Sequence, residues 1–296
     1  MARKLLFIIN PKAGKKLGPS LLPKIEQKLK GKMEYDISLW KDITEFNLIK
    51  EKLFNGSYTH AIAIGGDGTV NIVAKTILGT NITLGIIPAG SGNGLARSLG
   101  LPMDTEKALD AIIEGRVQII DSGEINGIPF FCTSGVGFDA HIGHLFATSV
   151  KRGLKSYIKI IWKEFFSYEP KTYKIYYNGN TIERKAFLIT VGNAGQYGNN
   201  FYIAPGALMN DGLFHVSVLR PFKFYQVFGL LFKIFRHKAD ESKLIEAFSC
   251  KELTIERREK DVLHFDGEPA MSDEKVFFKC KPASLSAIVG EKFKAA

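Results

Sequence analysis

Residues 60–75, HAIAIGGDGTVNIVAK, run a short apolar β-prone segment into glycines broken by one aspartate, and then into a helical pattern. Gly65, Gly66 and Gly68 let backbone amides approach an anion closely, and a helix starting near Val70 would add its positive dipole end. Asp67 would repel a phosphate that it faced directly. Its natural role is through a divalent cation, because Mg²⁺ takes one or two carboxylates together with phosphate oxygens. A plain Asp-Gly turn is the alternative; two preceding glycines between a strand and a helix weigh against it.

A second glycine-rich turn, IIPAGSGNGLARSLG, again follows a strand and precedes a helix. Loops after neighbouring parallel strands share the carboxyl edge of the sheet, where such folds bind ligands. Ser91 and Asn93 either cap the following helix or hydrogen-bond a nucleotide. The first strand leads into INPKAGKK, which adds Asn10, Gly14 and Lys15 as a third phosphate-friendly loop. None of the three is a P-loop, because no GxxxxGK[ST] occurs.

These loops need a framework. Up to about residue 122, apolar strands (KLLFIIN, YDISLW, HAIAI, TLGIIP, VQIID) alternate with helix-period segments (LLPKIEQKLK, TEFNLIKEKLF, DTEKALDAIIEG). That alternation predicts a Rossmann-like α/β layer over residues 1–122, with Thr44 capping the second helix and Gly115 closing the third. Beyond Ser122, Asn-Gly pairs at 126/127 and 178/179 between β-prone runs predict two-residue hairpins. Residues 123–296 therefore read as a mainly antiparallel, β-sandwich-like domain with helices near 148–166 and 222–236, its last residues returning to the first domain.

Composition narrows the function classes. The chain has 296 residues, is 45% hydrophobic and carries a net charge of +10. The basic excess suits a nucleic acid, an anionic membrane or a phosphorylated ligand, but no nucleic-acid motif is present. Cys132, Cys250 and Cys280 are odd in number and widely spaced, which predicts a reducing, cytoplasmic setting without disulfides or a CxxC clip. No run reaches the roughly 18–20 apolar residues that span a bilayer.

The motifs NPKAG, GGDGTVN, PAGSGN, GVGFDA and DGE stand in the order of the diacylglycerol kinase catalytic superfamily, which the chain resembles over nearly its whole length. The resemblance implies an ATP-dependent lipid kinase, with nucleotide on the first domain, lipid on the second and chemistry in the cleft between them. Gly65, Gly66, Asp67, Gly68, Thr69 and Asn71 would hold the ATP phosphates, Asp67 acting through Mg²⁺. Ser91, Gly92 and Asn93 would line the nucleotide, and Asp139 would lie near the lipid headgroup. Asp211, with the carbonyls of Leu208 and Leu213, would hold a structural metal ion. Glu268 would take the proton from the lipid hydroxyl, a sensible role for a carboxylate on a glycine-flanked turn. His264 and the other histidines, without triad or metal-ligand spacing, read as structural or solvated. The second loop lacks the Asp of the Thr-x-Asn-Asp form common in bacterial diacylglycerol kinases and is more similar to the sphingosine and ceramide kinases. Trp40 stands where a threonine is often found, to meet adenine or to fill the core.

The implied partner is a lipid at a membrane surface, engaged peripherally and reversibly; a homodimer stays open. Lys151, Lys155, Lys159 and Lys163 recur every fourth residue beside an apolar face of Leu154, Ile158, Ile161, Trp162 and Phe165, predicting a basic amphipathic helix. Such a helix either lies on an anionic bilayer or packs its apolar face on the core. The enzymic alternative is an NAD kinase-like protein; the non-enzymic one is a lipid- or nucleotide-binding module.

Overall fold

A computed structural model describes residues 3–11, 18–149 and 154–296. The chain forms two compact units, residues 1–121 with 283–296, and residues 122–282.

The first unit alternates β1 (Lys4–Ile9), α1 (Gly18–Leu29), β2 (Glu34–Leu39), α2 (Ile43–Asn55), β3 (His60–Gly65), α3 (Asp67–Ile77) and β4 (Thr83–Pro88). It continues through α4 (Gly94–Ser98) and α5 (Thr105–Glu114) into β5 (Val117–Ile125). The strands pair in parallel in the order β2-β1-β3-β4. β3 and β4 are buried at every residue, as the unbroken apolar runs of a parallel sheet covered on both faces require. Chain direction across the sheet reverses between β1 and β3, so the crevice at their carboxyl ends is the switch point where doubly wound sheets take ligands. Helix α2 departs from expectation at its start: the cap is Asp42, whose carboxylate accepts the N–H groups of Thr44 (2.9 Å) and Glu45 (3.0 Å). Thr44 lies inside the first turn. Gly115 closes α5 in the left-handed conformation at φ 68°, as read from the sequence.

The second unit holds β6 (Ile128–Phe130), β7 (Thr133–Gly137), α6 (Phe138–Thr148), α7 (Leu154–Phe165), β8 (Lys171–Tyr177), β9 (Asn180–Ala186) and β10 (Leu188–Gly192). There follow β11 (Phe214–Leu219), α8 (Gln226–Phe235), β12 (Ile245–Cys250), β13 (Glu252–Glu256), β14 (Asp261–Phe265), β15 (Glu268–Ser272) and β16 (Lys275–Ile288), whose end returns to pair with β4. One antiparallel sheet runs β12-β11-β10-β7-β14-β15, and it faces β16-β13-β8-β9 across a core that includes Tyr173, Ile175, Val216, Phe214, Leu253 and Phe278. Both Asn-Gly pairs are hairpin turns with positive φ at each residue (47° and 83°, 48° and 75°), the backbone that type I′ turns demand. All three cysteines are buried and free, and burial pushes the Cys250 thiol up to about 12.

Two helical expectations need correction. Helix begins at Phe138, ten residues before the expected start, because Gly137 at φ 107° turns β7 directly into α6. Gly143 and the residues Ala140, His141, His144 and Ala147 among apolar ones blur the period there. In α7 the expected apolar face divides: Ile161 and Phe165 pack on the core, whereas Ile158 and Trp162 are 54% and 60% exposed. Lys151 and the side chains of Leu154 and Lys155 lie outside the described residues.

Glu246 on β12 receives two bonds from Arg184 of β9 (2.8 and 3.0 Å) and one from Arg220 (2.9 Å), tying the edges of the two sheets. The Arg184 hydrogen bond, then that of Arg220, holds its carboxyl down at about 2, from an ordinary 4.5. A depressed carboxylate contributes stability that is present above its unfolded pKa and lost as pH falls through the folded one. Glu246→Gln is expected to lower stability by about 1 kcal/mol at pH 7, after allowance for solvent screening. It should also flatten the loss of stability between about pH 4.5 and 2. Denaturant titrations across that range read both effects.

Candidate active site

The ends of the parallel strands are level, since Ile9 pairs with Ile64 and with Leu39, and Gly65 with Pro88. The loops after β1, β3 and β4 therefore emerge at one edge, with the Asn10 N–H reaching the Ile64 carbonyl at 3.4 Å and the Ala89 N–H that of Gly65 at 2.8 Å. Gly14 and Lys15 lie outside the described residues.

Helix α3 begins at Asp67, three residues before the expected start, so the aspartate occupies its first turn with Gly66 as N-cap. The Asp67 carboxylate reaches the other loop. Oδ2 accepts the N–H of Asn93 at 3.0 Å and Oδ1 that of Gly94 at 2.7 Å. These are the orphan donors at the start of α4, so the cap of that helix comes from a residue 26 positions earlier in the chain. Asn93 does not cap with its side chain. At φ 52° it folds back instead, its Oδ1 accepting the Gly90 N–H (2.9 Å) and its Nδ2 donating to the Gly90 carbonyl (2.8 Å). Gly90 is a glycine by necessity, since a Cβ there would lie 2.6 Å from the Gly66 Cα.

The clasped loops leave backbone open to a ligand. Gly68, Gly90 and Ser91 are exposed, and Gly66, Asp67 and Gly92 half-buried. Thr69 and Asn71, both buried, are on the inner side of α3, where the Thr69 side chain packs over Gly65. Arg97, one turn into α4, donates its Nε–H to the Gly92 carbonyl at 3.0 Å. The sequence reading missed this cation, although its spacing of four from Asn93 places it on the turn above the loop. Trp40 packs edge-on against Phe46 at 5.2 Å with its indole N–H enclosed, which is a core contact.

In the second unit, Asp266-Gly267 forms a third positive-φ hairpin turn (50° and 84°) between β14 and β15. Asp266 accepts the N–H groups of Phe131 (2.8 Å), Cys132 (2.7 Å) and Thr133 (3.2 Å), which seats the tip of the hairpin on the start of β7. Arg257, buried just after β13, donates to the carbonyls of Asp261 (2.6 Å), Val262 (3.0 Å) and Ser272 (2.9 Å) at the hairpin's open end. Held at both ends, the hairpin presents Glu268 on its exposed side.

Asp139 opens α6 and is largely buried. Its Oδ2 accepts from Tyr197 Oη (2.5 Å) and from His264 Nε2 (2.9 Å), and Tyr197 also bonds Thr190 Oγ1 (2.5 Å). Burial, then the Asp139 charge, pushes the Tyr197 phenol far above its usual range, so it stays a proton donor. His264 is thus bonded to a candidate headgroup residue, a pairing across 125 positions that no local spacing announces. Asp211 is exposed in the turn before β11, Oδ1 accepting the Leu213 N–H at 2.9 Å; Leu208 is half-buried nearby in the chain. Among the described residues no three His, Cys, Asp or Glu side chains cluster as a metal cage.

Residues 4–125 match the model of the diacylglycerol kinase catalytic domain, and residues 133–289 that of the YegS C-terminal NAD kinase beta sandwich-like domain. The "probable lipid kinase YegS-like" of Klebsiella pneumoniae is 30% identical over 229 residues, covering 76% of this chain and 75% of its own. The chain belongs to the diacylglycerol kinase and YegS-like lipid kinase family. The diacylglycerol kinase of Bacillus subtilis is 29% identical to this family member over 212 residues, 70% of either chain. A crystal structure of a diacylglycerol kinase from Bacillus anthracis shares the fold, with a TM-score of 0.71 at 22% identity over 99% of this chain and 98% of that one. The α/β-plus-sandwich class read from the alternation of strands and helices and from the Asn-Gly hairpins is the class observed.

Replacing Asp67 by Asn leaves one good acceptor where the carboxylate serves two N–H groups. Asp67→Asn is expected to cost about 1.5–3 kcal/mol of stability, the range for bonds to a charged group. It should also speed hydrogen exchange at the Asn93 or Gly94 amide. Unchanged denaturation and exchange would mean that the clasp contributes nothing.

Proposed function

We propose that the protein is an ATP-dependent lipid kinase that transfers the γ-phosphoryl group to a hydroxyl of a membrane lipid of diacylglycerol or sphingoid type. The observation that carries the reading is the Asp67 clasp: two glycine turns and two helix starts drawn together at one sheet edge. Phosphoryl transfer asks a protein mainly for positioning and charge neutralisation. The exposed turn residues Gly68 and Ser91 offer backbone that suits phosphate oxygens, and Arg97 adds a fixed positive charge beside them.

Mg²⁺ fits this donor set. The ion keeps several waters, needs only one or two carboxylates and takes its other ligands from phosphates. Asp67, half-buried between the turns, is the residue that would hold it, and the ion would supply neutralisation of charge on the transferred group. Glu268 is the acceptor of the hydroxyl proton, presented on a hairpin anchored by Asp266 and Arg257. Asp139, with His264 and Tyr197 fixing its orientation, is placed to accept a hydrogen bond from a polar headgroup. A cation at Asp211 would draw on one carboxylate and the loop carbonyls of Leu208 and Leu213, an oxygen set suited to Ca²⁺ or Mg²⁺.

Incubation with γ-labelled ATP, Mg²⁺ and a total lipid extract is expected to yield a labelled lipid. A labelled dinucleotide would instead support an NAD kinase-like activity, and no turnover a binding module. Glu268→Gln is expected to reduce turnover by a factor of about 10² to 10⁴ while leaving ATP affinity intact. A change confined to lipid KM would reassign Glu268 to substrate binding. Asp211→Ala and a chelator are each expected to lower the melting temperature, and insensitivity to both would remove the metal role.

A further inference from the structure

The core-facing side of α7 accounts for Ile161 and Phe165, but not for the other line of apolar residues on this helix. Trp162 and Phe166 are 60% and 62% exposed and stack edge to face at 5.7 Å. Phe224, in the segment leading into α8, meets both, at 6.0 and 5.3 Å, and Phe228 continues from it at 5.9 Å. One turn further on α8, Phe232 is also exposed, with the Arg236 guanidinium 4.6 Å over its ring. Tyr225 projects beside them. Two helical elements far apart in sequence thus build one outward aromatic surface, and Leu230 and Ile234 on the opposite side of α8 do the packing on the core. Contiguous apolar surface of this kind is what soluble monomers avoid unless it is used.

Charge says what covers it. Residues 221–239 contain no Asp or Glu, but do contain Lys223, Lys233, Arg236 and Lys238. On α7, Lys159 and Lys163 are exposed next to Ile158 and Trp162, and the lone acid of the described helix, Glu164, is turned inward to His141 at 3.0 Å. Exposed aromatic rings interspersed along the chain with bases match the interface of an anionic bilayer, where rings enter the headgroup region and cations stay among phosphates.

We infer that the aromatic face formed by α7 and the segment Phe224–Phe232 is the surface by which this protein enters an anionic lipid bilayer. The choice of bilayer over protein partner rests in part on the lipid-kinase reading. Ring insertion supplies the main part of the attachment and the lysines the salt-sensitive remainder, so the surface does more than the basic stripe alone would do.

The test uses the full chain and vesicles of phosphatidylcholine with phosphatidylglycerol. The sequence has two tryptophans, so Trp40→Phe leaves Trp162 as the only indole emitter. Its emission is expected to shift to the blue on vesicle addition and to be quenched by lipids brominated near the headgroup. The triple variant Phe224→Ser, Phe228→Ser, Phe232→Ser is expected to bind vesicles at least tenfold more weakly, with its turnover on detergent-dispersed lipid retained. Lys159→Glu with Lys163→Glu should weaken binding at low salt only. Trp162 emission that ignores vesicles overturns the inference, independently of how any variant folds. So does a triple variant that binds vesicles as wild type does, or one that only converts a dimer to a monomer in sedimentation. Vesicle binding through these rings without any lipid phosphorylation would uphold the surface and refute the lipid-kinase reading instead.

Discussion

A single carboxylate organises the carboxyl edge of this protein's parallel sheet. Asp67 is the first residue of α3, and it caps α4, so one side chain joins the turns after β3 and β4. The negative charge that would repel a phosphate is offset by two backbone N–H groups and by the positive ends of both helices. The local problem posed by an aspartate among glycines is thereby resolved in the fold before any ligand arrives. The glycine at 90 follows from the same constraint: the turns touch at Gly66 and Gly90, and a Cβ on Gly90 would lie 2.6 Å from the Gly66 Cα.

The second unit uses the same device with another aspartate. Asp266 accepts three backbone N–H groups and Arg257 donates to the carbonyls of Asp261, Val262, Ser272 and Asp273 at the other end of the hairpin. Of the carboxylates in the Asp-Gly-Glu turn, the first is structural and the second is exposed and oriented by it. Buried polar groups satisfied in this way rigidify their surroundings, and removing one partner costs the desolvation of the other. The Asp139, His264 and Tyr197 cluster is a third instance, again between elements distant in the chain.

Much of this was legible in the residues. The unbroken apolar runs of β3 and β4, the Asn-Gly hairpins and the Gly115 stop are local signals whose physics is complete within a few residues, and they appear where expected. Contacts that depend on chain return were not legible: the capping of α4 by Asp67, the Asp266 and Arg257 anchors, and the bond of His264 to Asp139 span from 4 to 135 positions. Helix α6 was missed because its start is a backbone event at Gly137, and its residues are apolar on several sides. For α7 the spacing marked apolar and basic positions, yet periodicity could not say which apolar residues face the core and which face outward. That division belongs to packing, through Phe138, Phe187 and Phe222 around Phe165.

The central claim is that the close approach of the Gly66 and Gly90 turns, clasped by Asp67, makes the site for the phosphates of ATP. Calorimetric titration of Gly90→Ala with ATP and Mg²⁺ tests it directly, because the added methyl, 2.6 Å from the Gly66 Cα and 2.9 Å from Asn93 Oδ1, must push the turns apart without removing any polar side chain. The account predicts at least a tenfold loss of ATP affinity in a protein that still melts cooperatively. ATP bound by Gly90→Ala as tightly as by the wild type would contradict it.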